Sequence, residues 1–227
     1  MLNIVYNALC GATCLEDLEL LRNDEVYLDA LGTDRIPDPT TAGDFCRRFS
    51  PHNIYRLMEA FDETRLEVWR RQPEEFFEEA VVDVDGTIVS THGEYKQGMD
   101  ISYQGVWGYH PLLITVGNTR EVLRIVNRSG NRPSHEGADG EIDAVVKLLA
   151  RAGFRRILVR GDTDFTQTKH LDRWDDVPGL RFIFEMDASA KLHMIADDLP
   201  AGAWRELTRQ PKYQVKTTPR RRPENVK

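Results

Sequence analysis

From Ser50 to about Arg71, apolar side chains recur at Ile54, Leu57, Met58, Phe61 and Val68, a spacing that places them on one face of a helix. Ser50-Pro51 is a suitable opening for that helix, because serine caps the first free N–H groups and proline already holds a helical φ. Upstream, Asp38-Pro39 predicts a similar start for a short helix through Phe45 and Phe49, and Leu15, Leu18 and Leu21 share a face of another. Residues 1 to about 78 therefore read as a small helical bundle.

Near Phe76 the period changes. Extended segments are predicted over roughly Ala80 to Ser90, around Ile101 to Val116, and over Val122 to Asn127, with glycine-containing breaks that suit an antiparallel meander of three strands. After a loop from Ser129 to Asp139, Ile142, Val145, Val146 and Leu149 follow helical spacing up to Gly153. Arg156 to Val159 then reads as a buried strand, Thr166 to Trp174 as a helix stopped before Pro178, and Arg181 to Met186 as a last strand. In a doubly wound α/β fold a helix would follow the first strand directly; three strands, helix, strand, helix, strand instead fits a ribonuclease H-like mixed sheet. The expected organisation is a helical domain over 1–78, a ribonuclease H-like α/β core over 79–200, and a basic tail over 201–227.

Composition narrows the class. At 41% hydrophobic and 30% charged over 227 residues, the chain has enough apolar surface for a packed core, so a disordered protein is not expected. No run approaches the eighteen or so uninterrupted apolar residues of a membrane span, and the N-terminus has no basic region followed by an apolar core, so a cytoplasmic protein with no membrane partner is expected. Cys10, Cys14 and Cys46 are odd in number and form no CxxC repeat, and the six histidines show no HxxxH spacing, which argues against a disulfide framework or a zinc site. The net charge of -7 argues against a wholly basic nucleic-acid binder, yet eight Lys or Arg stand against two Glu from Arg205 to Lys227. That tail, with Arg220, Arg221 and Arg222, suits phosphate contact.

The candidate chemistry lies in two aspartate clusters, Asp83-Val84-Asp85-Gly86-Thr87 and Gly161-Asp162-Thr163-Asp164, each just after an apolar run. Strand side chains alternate, so Asp83 and Asp85 share one face while Val82 and Val84 point to the other. Either cluster alone reads equally well as a turn cap. If the two strands are neighbours, however, Asp85 and Asp162 approach one site, where close carboxylates repel unless a hard cation such as Mg²⁺ or Mn²⁺ neutralises them. Such a site suits two-metal phosphodiester chemistry, which normally needs a third carboxylate.

The chain resembles the catalytic part of bacterial insertion-sequence DDE transposases, DDE group 1, from about Leu2 to Arg222. The resemblance is carried by Val81-Val82-Asp83-Val84-Asp85-Gly86-Thr87 with Ser90-Thr91-His92-Gly93, by Tyr103-Gln104-Gly105-Val106-Trp107-Gly108-Tyr109-His110-Pro111-Leu112-Leu113, and by Leu158-Val159-Arg160-Gly161-Asp162-Thr163-Asp164-Phe165. It implies Mg²⁺- or Mn²⁺-dependent cleavage and transfer of double-stranded DNA at transposon terminal inverted repeats, acting on a target DNA and as a homodimer on DNA. It also implies Asp85 and Asp162 as catalytic metal ligands, Asp83 as a neighbouring acidic ligand, and Arg160 as a phosphate contact. The family's third acid, a glutamate on a late helix, has no match before Lys227: Glu185 falls on the strand Phe182 to Met186 and Glu224 in the basic tail. A C-terminally truncated transposase, inactive as it stands, is therefore the expectation.

Asp83-Val84-Asp85-Gly86-Thr87 also resembles the signature of haloacid-dehalogenase-like phosphatases, in which Asp83 would be the nucleophile and Asp85 the general acid/base. A non-catalytic DNA-binding remnant is a further alternative, with steeply salt-dependent binding. His92 and His110 lie in stretches that match the transposases but read as hydrogen-bonded structural residues. Trp69, Trp107, Trp174 and Trp204 are too dispersed for a base-stacking platform.

Overall fold

The computed structural model describes residues 1–93, 96–166 and 168–208. Five helices come first: α1 (Leu2–Leu9), α2 (Leu18–Leu21), α3 (Glu25–Leu31), α4 (Pro39–Cys46) and α5 (Pro51–Trp69). Side chains cap three of them: Asp24 accepts from the Tyr27 N–H at 2.9 Å, Asp38 from Thr41 at 2.8 Å and Ser50 from Asn53 at 3.3 Å. Pro39 and Pro51 open α4 and α5, as the sequence predicts. The first four helices and the segments between them close on a small apolar centre of Leu18, Tyr27, Ile36 and Ala42.

The buried side of α5 is not the predicted stripe. Ile54, Phe61 and Val68 are 45%, 56% and 53% exposed, whereas Asp62, Leu66 and Trp69 are buried. Leu66 and Trp69, in the second half of this helix, enter the core of the sheet, and Trp69 donates to Glu121 at 3.1 Å. Ile54, Leu57, Met58 and Phe61 instead line an open groove with Val122, Leu123 and Ile125.

The first strand is β1 (Glu79–Gly86). The chain then forms a separate three-stranded sheet of β2 (Val89–Ser90), β3 (Asp100–Ile101) and β4 (Trp107–Tyr109), ordered β2-β4-β3, before β5 (Leu112–Val116) and β6 (Glu121–Val126) complete the meander. The single extended stretch predicted around 101–116 is therefore three short strands. It breaks between β4 and β5 at His110-Pro111, where proline has no N–H to continue a ladder. Next come α6 (Ala138–Ala152), β7 (Arg156–Gly161), α7 (Thr168–Asp175), β8 (Leu180–Phe184) and α8 (Ala190–Asp197). Gly153, at φ +101°, ends α6 in the left-handed conformation that costs glycine nothing.

The main sheet runs β6-β5-β1-β7-β8. β1 pairs antiparallel with β5 and parallel with β7, and β7 pairs parallel with β8. This is the mixed, ribonuclease H-like sheet expected from the element order. Helix-side residues form the core: Ala80, Val82 and Val84 of β1 pack with Ile114, Val159, Val145 and Leu149, among others. The alternate β1 residues Val81, Asp83 and Asp85 point to the other face and are half-buried or exposed.

The chain divides into two compact units, Met1–Met186 and Asp187–Lys227. Within the second, Ser189 caps α8 by accepting from the Leu192 N–H at 3.3 Å, and no residue of α8 is buried. Among the described residues no helix is long and apolar enough to cross a membrane.

Candidate active site

The β1–β7 register brings the two aspartate clusters together. Asp83 lies opposite Arg160 across the parallel pair, and two residues further along each segment come Asp85 and Asp162. Neighbouring strands run about 4.8 Å apart, so carboxylates level with one another on the same side reach a common site. Asp83, Asp85, Arg160, Asp162 and Glu185 line one open cleft of about 290 Å³.

Asp83 and Arg160 engage one another. Both oxygens of Asp83 accept from the guanidinium, at 2.7 Å from Nε and 2.9 Å from Nη2, a fork that neutralises both charges and fixes both side chains. A phosphatase using Asp83 as nucleophile would need that carboxylate free, whereas here both oxygens are occupied. Asp85 is not tied to a cation in this way. Burial pushes its carboxyl above the usual range; the Gly86 N–H opposes that shift, the Asp162 carboxylate adds to it, and His110 opposes it.

Asp162 has two roles at once. Its carboxylate accepts from the Asp164 N–H at 3.0 Å and so caps the 3-10 turn Thr163–Phe165, the bland role the sequence also allowed. It also lines both the cleft and an adjoining cavity of about 370 Å³, whose walls include Tyr103, His110, Asn131, Arg132, Ser134 and Asp164. Burial pushes Asp164 up, but the Ser134 backbone N–H and hydroxyl, with nearby His135, outweigh it and hold the carboxyl below the usual range.

The cavity wall is held by Arg128. Its Nη1 donates to the carbonyls of Pro133, Ser134 and Glu136 at 3.2, 2.9 and 2.9 Å, and its Nε donates to the His110 carbonyl at 3.1 Å. Gly86 is needed here because a Cβ at that position would lie 2.5 Å from His110 Nε2 and 2.7 Å from Ser134 Oγ.

Glu185, just beyond the end of β8, also lines the cleft, a position hidden in the sequence because it depends on β8 lying beside β7. Arg128 likewise carries no motif that marks it out, and Asp164, although it belongs to the second aspartate cluster, is given no role of its own by the sequence; their places follow from the loop they brace. Arg220, Arg221 and Arg222 lie outside the described residues. Cys10, Cys14 and Cys46 are free and exposed, and Trp69 and Trp174 are core residues.

Among the described residues no group of three or more His, Cys, Asp or Glu side chains could hold a metal ion. The donor set at the cleft still fits a hard cation. Mg²⁺ is usually held by one or two carboxylates plus waters and substrate phosphates, not by an all-protein cage. Asp85 and Asp162 supply two carboxylates whose mutual repulsion such an ion would relieve.

A family model described as transposase DDE domain group 1 matches residues 1–222. No curated protein matches the chain. Among solved structures, the chain is similar to a Drosophila P element transposase strand transfer complex, at 12% identity and a TM-score of 0.32, covering 74% of this chain and 46% of that one. The chain thus spans about half the length of the solved protein it matches.

Proposed function

Since the chain belongs to the transposase DDE domain group 1 family, we propose that it carries the metal-binding centre for DNA strand cleavage and transfer at insertion-sequence ends. The observation that carries this reading is the convergence of Asp85 and Asp162, from strands far apart in sequence, on one cleft. In this reading the two aspartates hold Mg²⁺ or Mn²⁺. When bound, the metal activates the attacking water or terminal hydroxyl and stabilises the leaving oxygen of an in-line displacement. Asp83 fixes Arg160 beside the cleft. Because a guanidinium has five N–H donors and Asp83 takes two, Arg160 keeps donors for a DNA phosphate. Arg220, Arg221 and Arg222 add sequence-independent phosphate contact, and double-stranded DNA, both terminal repeat and target, is the partner, bound by a homodimer.

The reading is tested first by metal binding, which does not depend on identifying a third acid. Calorimetric titration of Mn²⁺ into the chain is expected to show binding that Asp85→Asn and Asp162→Asn each weaken about 10-fold or more, the scale on which losing an anionic ligand acts. Unchanged affinity in both variants overturns the reading. Mg²⁺-dependent nicking of terminal-repeat DNA is then the activity to measure in the same variants. A gel shift that is insensitive to Mn²⁺ and to both substitutions would favour a non-catalytic DNA-binding role.

A further inference from the structure

His110 is 3% exposed, yet its ring touches both halves of the site. Nδ1 lies 2.7 Å from the Arg132 carbonyl; a carbonyl only accepts, so Nδ1 carries the proton and donates. The opposite edge of the ring, Nε2 and Cε1, packs against the backbone of Gly86, the residue after Asp85. On the other side of Arg132, the Ser134 N–H donates to Asp164 at 2.7 Å, and the Asp164 N–H donates to Asp162 at 3.0 Å. The backbone of His110 is itself clamped, since its N–H donates to the Arg128 carbonyl at 2.9 Å and its carbonyl accepts from Arg128 Nε. A continuous path therefore runs from the Asp85–Gly86 backbone through the imidazole and the loop 129–137 to the Asp162 carboxylate.

We infer that His110 is a positioning residue that sets the separation of Asp85 and Asp162, acting through its Nδ1–H bond to the Arg132 carbonyl. The inference rests on the metal-binding reading above. It gives this buried histidine a role distinct from packing, because hydrogen bonds behind a ligand orient it and losing one typically weakens metal affinity about 10-fold to 100-fold.

Two substitutions separate the edges of the ring. An asparagine amide nitrogen occupies about the place of Nδ1, and a glutamine amide nitrogen about that of Nε2. In Mn²⁺ titrations, His110→Gln is expected to raise the dissociation constant about 10-fold or more while His110→Asn stays close to the parent, with cooperative thermal melting in both. Parent-like affinity in His110→Gln overturns the inference, and so does an equal loss in His110→Asn. If His110→Gln fails to fold, His110→Asn decides alone: affinity near the parent supports the bond, and a loss refutes it. The Asp85→Asn control tests the underlying reading separately, because affinity unchanged there removes the metal site itself and the inference with it.

Discussion

Burial and the neighbouring Asp162 carboxylate both favour the protonated form of Asp85, outweighing the Gly86 N–H and His110. An acid whose folded-state pKa is raised destabilises the fold once it ionises. The cost is absent below the unfolded-state value of about 3.9, grows as pH rises through the folded value and is complete above it. Asp85→Asn removes that charge at constant shape. In metal-free buffer the variant is expected to melt above the parent at neutral pH, with the difference closing as the pH falls toward that of an ordinary carboxylate. A parent that melts higher at neutral pH would contradict this account. Asp164 has the opposite sign: its lowered pKa contributes stability above the unfolded-state value, lost as pH falls through the folded one.

At the level of elements, α5 is joined to the sheet by charge as much as by apolar contact. Arg124 of β6 donates to both oxygens of Asp62 at 3.1 and 2.7 Å, and both residues are 7% exposed. Removing Asp62 leaves the buried Arg124 with only the longer Glu141 contact at 3.6 Å, whereas Asp62 itself also accepts from Arg65 at 2.7 Å. Asp62→Ala is therefore expected to cost about 3 kcal/mol in urea denaturation, and replacing both residues by apolar ones should cost less. A loss well under 1 kcal/mol would mean that the Arg124–Glu141 contact at 3.6 Å suffices. Helical period identified α5 correctly and its capped start at Ser50, but not its buried side. That side depends on which face of the helix docks on β6, and no local pattern encodes it.

For the whole molecule, on the metal-binding reading, a cation held at the Asp85–Asp162 cleft would bind the folded chain and not the unfolded one, and so would stabilise the elements coupled to that cleft. At about 100 times its dissociation constant the gain is about 2.7 kcal/mol. Thermal melts with Mg²⁺ or Mn²⁺ are expected to show this rise in the parent and its absence in Asp162→Asn. An equal rise in both would place the binding elsewhere.

By itself the sequence marked the two aspartate clusters and the succession of the main helices and strands. The strand period put Asp83 and Asp85 on one face of β1, the helix caps marked α4 and α5, and the succession of periods predicted a mixed sheet, whose strand order the tertiary structure supplies. These are short-range features, set by backbone sterics and by the alternation of polar and apolar side chains. Only the tertiary structure decided that Asp85 and Asp162 line one cleft, that Asp83 is held by Arg160, and that His110, Arg128 and Asp164 brace one wall of the site. Each of those pairings joins residues brought together by strand register and loop closure, which are settled by the packing of the whole core and not by the residues' immediate neighbours in the chain.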